Sequence, residues 1–511
     1  MRAQSITVPP NLNGTPDFPL TWLSDFIDAD TLQGKIQKNK EYLLEPGGAY
    51  AFTGQAIWTS DVVIKSKGKA TDPKPVIFRL NKTGATTLPN LYNGFGSLRL
   101  ENLYIIMGDN GPTASAYQTI PLQGNGKGKT YHVKDCVILK SRQAVWRIQA
   151  DSSKCIVEGS HIYNIGDYGQ LQGNGRVIDP RNSNMDSVII RNNVVHNMLD
   201  RIFIGFRQTG LKYLSITNNT IFNHVGRHGF IQVGKNTKET LIRDNIFINP
   251  SIMGTNRFVA DEQFAPHVRQ ENFLFTLDTL NPGAKITMTN NNLFYTPDVL
   301  NHYATFDSVS KPNIFSPAFA KLINPSTATF SEPFELINVP GREQLIKYSF
   351  EALKFRDSTG ITRMMVEDIG LKGTEYDRGY LFDFSKFNAC YATSSKSFTG
   401  ASDGKALGAR WACGLVLSAK REQFNPNITV EATPNPVIDR TKIAFTNPSS
   451  GNVRIKLVDN QGRFISVISE KDMPEGQNEI LWEKPTSVTA GTYFVTVETD
   501  NGKMFTRILI Q

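Results

Sequence analysis

One short frame recurs along the chain: a polar corner residue followed by an apolar strand of three or four residues. It reads Asp135-Cys-Val-Ile-Leu139, Ser160-His-Ile-Tyr-Asn164, Asn193-Val-Val-His-Asn197, Asn219-Thr-Ile-Phe-Asn223, Asn245-Ile-Phe-Ile-Asn249 and Asn291-Asn-Leu-Phe-Tyr295. Asn193, Asn219 and Asn245 stand 26 residues apart, Asp135 and Ser160 25, and Ser160 and Asn193 33, a step that carries one extra loop. Before each frame lies another β-rich stretch, such as Asp186-Ser-Val-Ile-Ile-Arg191 or Lys212-Tyr-Leu-Ser-Ile-Thr217. A unit this short cannot bury an apolar face alone and must stack on its neighbours. The pattern therefore predicts an all-β chain built on a right-handed parallel β-helix. Asparagine suits the corner, because its amide can bond to the equivalent residue of the next coil and it tolerates left-handed backbone. A β-propeller needs blades of about 40 residues joined by hairpin turns, and these units are shorter.

The coils are expected over residues 1–312, with opening turns and a cap between Asp28 and Leu80 and an early coil at Asn102-Leu-Tyr-Ile-Ile106. Residues 313–426 read as a mixed extension that packs on or completes the helix, with helical stretches near Gly341–Leu353 and Lys405–Lys420. Residues 427–511 read as a small C-terminal β-sandwich. The four cysteines, Cys136, Cys155, Cys390 and Cys413, are too scattered for a disulfide scaffold and include no CxxC pair. A Cys136–Cys155 link is open, with simple burial as the alternative. With 40% hydrophobic and 20% charged residues in 511, the chain is not disordered, and no apolar run approaches the ~18 residues of a membrane span. A formal charge of +8 favours an acidic ligand, while no basic run or nucleic-acid motif points to DNA or RNA.

The tail contains Ala432-Thr-Pro434-Asn435-Pro436, Val453-Arg-Ile-Lys-Leu-Val-Asp459, Ala490-Gly491-Thr492-Tyr493-Phe494 and a terminal Thr506-Arg-Ile-Leu-Ile510. These words resemble the C-terminal sorting domain of Bacteroidetes type IX secretion cargo. That resemblance implies handling by the type IX machinery and release outside the cell or attachment to its surface. Met1-Arg-Ala-Gln-Ser5 is consistent with a processed or recombinant start. Alternating strands alone would equally suit a carbohydrate-binding or immunoglobulin-like sandwich.

Arg227-His228-Gly229 resembles the Arg-His-Gly around the catalytic arginine of chondroitinase B-like and alginate lyases, and the coils resemble chondroitinase B-like and pectate lyase-like β-helix proteins. The resemblance implies activity on polysaccharides. No counterpart of those families' catalytic lysine or acidic calcium ligands is placed, so no cofactor is assigned and calcium stays open. Ser402-Asp403-Gly404-Lys-Ala-Leu-Gly408-Ala409-Arg410-Trp411 resembles the closing segment of Bacteroidetes β-helix proteins encoded beside polysaccharide-degrading enzymes.

Stacked coils turn equal offsets into columns about 4.8 Å per step. Eight residues after Ser160, Asn193 and Asn219 stand Tyr168, Arg201 and Arg227, with His228 adjoining. These four are the candidate catalytic residues. Arginine can neutralise a uronate carboxylate, and His228 or Tyr168 can act as base and acid. Arg147, Gln172, Arg176, Arg207, Gln232, Lys235 and Arg257 fall on strands after the corners and are the candidate substrate-binding residues. No metal ligand is assigned. The plain alternative is that both column arginines pair with Asp200 or nearby carboxylates.

The functional expectation is a monomeric secreted enzyme that cleaves an acidic polysaccharide by β-elimination. Hydrolysis is the alternative, drawing on Asp167, Asp179, Asp186, Asp200, Asp261 or Glu262, although Asp179-Pro180 reads as a turn and no motif pairs two of them. A noncatalytic glycan-binding surface protein is the third reading.

Overall fold

Corner residues set the coil. In the computed structural model, left-handed backbone occurs at Asn102, Asp135, Gly159, Asn192, Asn218, Asp244 and Asn290, with φ between 53° and 62°. The residue after each of the last five forms a hydrogen-bonded ladder. Ser160 N donates to Asn193 Oδ1 (2.9 Å), Asn193 N to Asn219 Oδ1 (3.0 Å), Asn219 N to Asn245 Oδ1 (2.9 Å) and Asn245 N to Asn291 Oδ1 (3.2 Å). The sequence reading assigned both tasks to one asparagine, but the structure divides them between neighbours. Asp135 accordingly aligns with Gly159, and Cys136 is the ladder position preceding Ser160, to whose Oγ its backbone donates (3.1 Å). A second left-handed corner closes the first five frames, at Lys140, Asn164, Asn197, Asn223 and Asn249.

The structure describes residues 5–32, 40–80, 90–107, 122–141, 143–166, 175–205, 208–226, 229–256, 273–277, 280–305, 309–347, 349, 382–414, 429–459, 464–499 and 502–511. Among these, three long sheets run side by side, and successive coils add one strand to each in sequence order. The first spans Ser5–Val8 to Lys285–Thr289 in ten strands, the second Asn13–Thr15 to Thr329–Phe330 in twelve, and the third Asn93–Gly94 to Asn313–Phe315 in eight. Apart from the opening Asn13–Thr15/Phe18–Trp22 hairpin, pairing in these sheets is parallel. This is a parallel β-helix, as the repeat predicts. Strands at Asn313–Phe315 and Thr329–Phe330 carry it beyond residue 312.

Inward positions stack like on like. The second sheet aligns Ile105, Ile138, Ile162, Val195, Ile221 and Phe247. The third aligns Leu122, Trp146, Ile178, Phe203, Ile231 and Phe275. All are buried in one continuous core, and each such side chain contributes about 1.5–3 kcal/mol of transfer free energy. The helix Leu23–Leu32 stands at the N-terminal end, where Asp30 pairs with the buried Lys40 and accepts from the Tyr42 hydroxyl (2.7 Å).

Residues after the last coil return over the outer face of the second sheet. Phe334, Phe387, Ala389, Tyr391, Leu407, Ala409 and Trp411 form a separate apolar cluster with Val194, Phe222, Ile246, Ile248 and Phe294. Cys390 and Cys413 are joined by a disulfide here, and Cys136 and Cys155 are buried free thiols. The helix expected near Lys405–Lys420 does not form over its described part: Gly404, Gly408 and Gly414 take positive φ, and only a 3-10 turn at Arg410–Cys413 lies between. The described part of the other stretch, near Gly341, is helical over 343–347.

The chain forms two compact units, residues 1–415 and 416–511. In the C-terminal unit an antiparallel three-stranded sheet (Val430–Thr433, Arg440–Asn447, Gly476–Glu483) and a four-stranded one (Phe464–Met473, Gly451–Asp459, Gly491–Thr499, Gly502–Ile510) enclose Val437, Ile443, Phe445, Val453, Ile455, Leu457, Val495 and Ile508. This is the expected β-sandwich.

Candidate functional site

Each outer face of the helix has its own chemistry. The first sheet carries ion pairs across adjacent strands, Lys65–Glu41 (2.7 Å), Lys134–Glu101 (3.2 Å) and Lys212–Asp186 (2.9 Å), and a His132 Nε2–Glu158 Oε1 hydrogen bond (2.9 Å). Such solvated pairs satisfy one another. The second is covered by the returning segment. The third keeps polar side chains in register over several coils, and it is the face with an unassigned role.

On that face Asn93, Gln123, Arg147 and Asp179 occupy one column on successive strands. Arg147 lies on the strand Ala144–Ile148, and Asp179 on Arg176–Pro180. Asp179 Oδ2 is the meeting point of three guanidiniums, from Arg147 (Nη2, 3.3 Å), Arg176 (Nη1, 3.4 Å) and Arg181 (Nε, 3.0 Å). Arg176 Nη2 reaches on to Asp200 Oδ2 at 2.8 Å, and Arg201 Nη1 lies 3.9 Å from Asp200 Oδ1. Both aspartates are fully buried, which is tolerable only because each is paired. Burial pulls the Arg147 guanidinium down to about 10, against the opposing pull of Asp179 and with help from Arg181 and Arg176; it therefore stays charged at neutral pH. For Arg176 burial is outweighed by Asp200 and Asp179, so its pKa rises.

His224 braces the cluster from the next coil. Its Nδ1 is 2.7 Å from Pro250 O, and its Nε2 contacts Asp200 O. Burial holds its pKa below the ordinary imidazole value although both carbonyls and Asp200 favour the charged ring. A neutral ring donates to one of these two carbonyls, linking its own coil to a neighbouring corner.

The described candidates thus separate by depth. Arg176 is sealed between the two aspartates, with 3% of its side chain exposed. Arg147 and Arg201 lie somewhat shallower, at 10% and 12%, and Arg181 reaches closest to solvent, at 27%. Gln232 follows two coils beyond Asp179 in the same column, through Ile204, and Lys235 stands just past that strand. Tyr168, Gln172, Arg207, Arg227, His228 and Arg257 lie outside the described residues, as do Asp167, Asp261 and Glu262.

Equal offset from the asparagine corner does not carry into the third sheet. Val195 pairs with Ile221, 26 residues on, whereas Phe203 pairs with Ile231, 28 residues on. The corner between the second and third sheets absorbs the difference, because loops accept insertions that strands cannot. Extending the Ile178–Phe203–Ile231 register by two residues places Arg201 beside Arg176 below and Gly229 above. Asp179-Pro180 is also no turn but the end of a strand, where proline's missing N–H is tolerated. Arg181, Gln123 and Asn125 escaped the sequence reading. Their signal was the alternation of polar residues around Arg147 and Asp179, visible once the strands are aligned.

Residues 432–511 match the family model of the secretion system C-terminal sorting domain. The chain carries an export tail. As type IX cargo it is delivered to the cell surface or the extracellular space, and among the described residues no helix is long and apolar enough to cross a membrane. Among solved structures the chain is similar to an alginate lyase from Paenibacillus sp. str. FPU-7, at 13% identity and a TM-score of 0.31, over 63% of this chain and 99% of that one. No curated protein matches the chain.

Proposed function

We propose that this is an exported carbohydrate-active enzyme that binds an acidic polysaccharide on the outer face of the third sheet and cleaves it by β-elimination. The observation that carries this reading is the array of Arg147, Arg181 and Arg201, held together with the sealed Arg176 on two buried aspartates in adjacent coils. Guanidiniums fixed by buried partners are preorganised donors for carboxylate or sulfate groups, with little reorganisation on binding. Delivery outside the cell brings such a site to extracellular polymers.

In the proposed reaction an arginine neutralises the uronate carboxylate and acidifies the proton on C5. A base removes that proton, the C4–O4 bond breaks as the C4–C5 double bond forms, and an acid gives a proton to the leaving oxygen. Arg201 and Arg227 are assigned to neutralisation, and His228 and Tyr168 to the proton transfers; these assignments rest on the sequence. Hydrolysis would require two carboxylates flanking the bond. Asp179 and Asp200 on this face are both buried and committed to arginines.

Incubation with alginate, pectate, glycosaminoglycans, ulvan and sulfated fucans tests the reading. Ultraviolet absorbance from an unsaturated uronate end is expected with at least one uronate polymer, and Arg227→Ala and His228→Ala should each slow its appearance by about 100-fold or more. New reducing ends without that absorbance would establish hydrolysis instead, and retention of intact polymer would mean a binding protein.

A further inference from the structure

The third sheet continues from the arginines toward the N-terminal coils as a run of amides. Asn93, Gln123 and Arg147 share a column, and Asn125 and Gln149 stand two residues further along the same two coils as Gln123 and Arg147. Gln149 N donates to Gly124 O (2.8 Å) and Asn125 N to Gly94 O (2.9 Å), so the register holds past the strand ends. The side chains are tied together: Asn125 Nδ2 donates to Asn93 Oδ1 (2.7 Å), and Gln123 Nε2 to Asn125 Oδ1 (3.0 Å) and Gln149 Oε1 (2.7 Å). Gln149 is exposed, and the other three are half-buried. Behind them Asn90 is 5% exposed, its Nδ2 stands 3.5 Å from Gln123 Oε1, and its own Oδ1 has no hydrogen-bond partner among the described residues. At the other end of the column, past the arginines, Gln232 Oε1 likewise has none.

An amide offers donors and acceptors together and carries no charge, so it discriminates little among anions and matches hydroxyl groups. Mutual pairing fixes these amides in place before any ligand arrives. The coil rise of about 4.8 Å is comparable to the length of one sugar unit, so a glycan lying along the helix axis would meet one coil per sugar. We infer that the Asn93–Gln123–Asn125–Gln149 run is a row of hydroxyl-reading subsites, which continues the arginine site and holds the interior of a polysaccharide parallel to the helix axis. This rests on the proposed function for its acidic end, while the amide run itself would serve any hydroxyl-rich chain.

The test is calorimetric affinity for size-defined oligomannuronates, oligoguluronates and oligogalacturonates from disaccharide to hexasaccharide, with neutral mannan and xylan hexasaccharides alongside. Affinity of the full chain should climb at least tenfold with length. Gln149→Ala alters an exposed residue and should leave the unfolding midpoint in place. It should weaken hexasaccharide binding about three- to tenfold, the loss of one or two hydrogen bonds, and trisaccharide binding less. Gln149→Glu should weaken the oligouronates further by placing a carboxylate against an acidic chain. Affinity that does not depend on length, or equal losses at every length, would overturn the inference while leaving the proposed function standing. Tight binding of a neutral hexasaccharide alone, with the same Gln149 dependence, would uphold the amide run and overturn the acidic substrate. Binding of none of these probes would overturn the inference, and the proposed function would then stand or fall on the activity panel.

Discussion

Adjacent asparagines at one corner do unlike work. Asn218 takes φ 54° and its Nδ2 has no hydrogen-bond partner among the described residues, so its value is conformational. Asn219 is fully buried; its Oδ1 accepts from both Asn193 N and Asn193 Nδ2, and its Nδ2 donates to Ile190 O (2.9 Å) and Asn245 Oδ1 (3.0 Å). Asn219→Leu should therefore cost about 3–4 kcal/mol, since it strands several buried polar groups. Asn218→Ala should cost about 1 kcal/mol for the left-handed backbone, and Asn218→Gly less than that. Urea denaturation of the three variants measures the order, and equal losses would contradict the division of labour.

The returning segment is the element that decides which face stays open. It docks on two corner residues and on the strand beginning at Thr220: Ser402 N donates to Asp244 Oδ1 (2.9 Å), Arg410 N to Asn192 Oδ1 (2.9 Å) and Ala409 N to Thr220 Oγ1 (3.0 Å). Gly408 sits so close that a Cβ would stand 2.3 Å from Thr220 Oγ1, which gives the Ser402–Trp411 motif a docking role. Beneath the segment His161 and His196 face each other, Nε2 to Nε2 at 2.9 Å, with His161 stacked on Phe387 (4.2 Å) and His196 on Phe222 (4.7 Å). One ring donates and the other accepts, so the pair is neutral. Burial pushes both below the ordinary value, His196 to about 3, and for His161 the neighbouring ring adds to the effect. The unfolded chain, titrating near 6.5, binds more protons than the folded one between those values. Stability from this pair is therefore complete above about pH 6.5 and declines as the pH falls toward 3. The double variant His161→Leu/His196→Phe should flatten this part of a stability profile measured from pH 7 to 4 by denaturant titration. An unchanged slope would mean the rings are not held neutral.

At the level of the whole molecule, the tail and the coils have separable tasks. The sorting domain has its own core of Ile443, Phe445, Val453, Ile455, Val495 and Ile508, and the coils have theirs. Truncation before Ala432 should abolish delivery to the surface or medium of the native cell, read by fractionation. The purified coil unit should keep its cooperative unfolding and whatever glycan binding the full chain has. Loss of folding on truncation would show that the two cores are not independent.

Much of this was legible in the residues. A spacing of 26 between ladder asparagines, with apolar residues at alternating positions between corners, leaves a chain few ways to bury its apolar surface other than stacking, and the tail's Pro-Asn-Pro and Gly-Thr-Tyr words marked it for export. What could not be read was which residues meet across coils where the spacing varies. The ladder follows hydrogen bonds at a tight corner and keeps strict period, but the loops between second and third sheets take insertions, so Arg201 came to lie beside Arg176 and Asp200 by register and not by count. Asp179-Pro180 carries a turn signal in sequence yet ends a strand, and the three arginines that hold Asp179 there come from two different coils. Backbone periodicity is a local property that composition reveals, whereas the depth and partners of a charged side chain depend on neighbours distant in sequence, and those are set only when the coils close on one another.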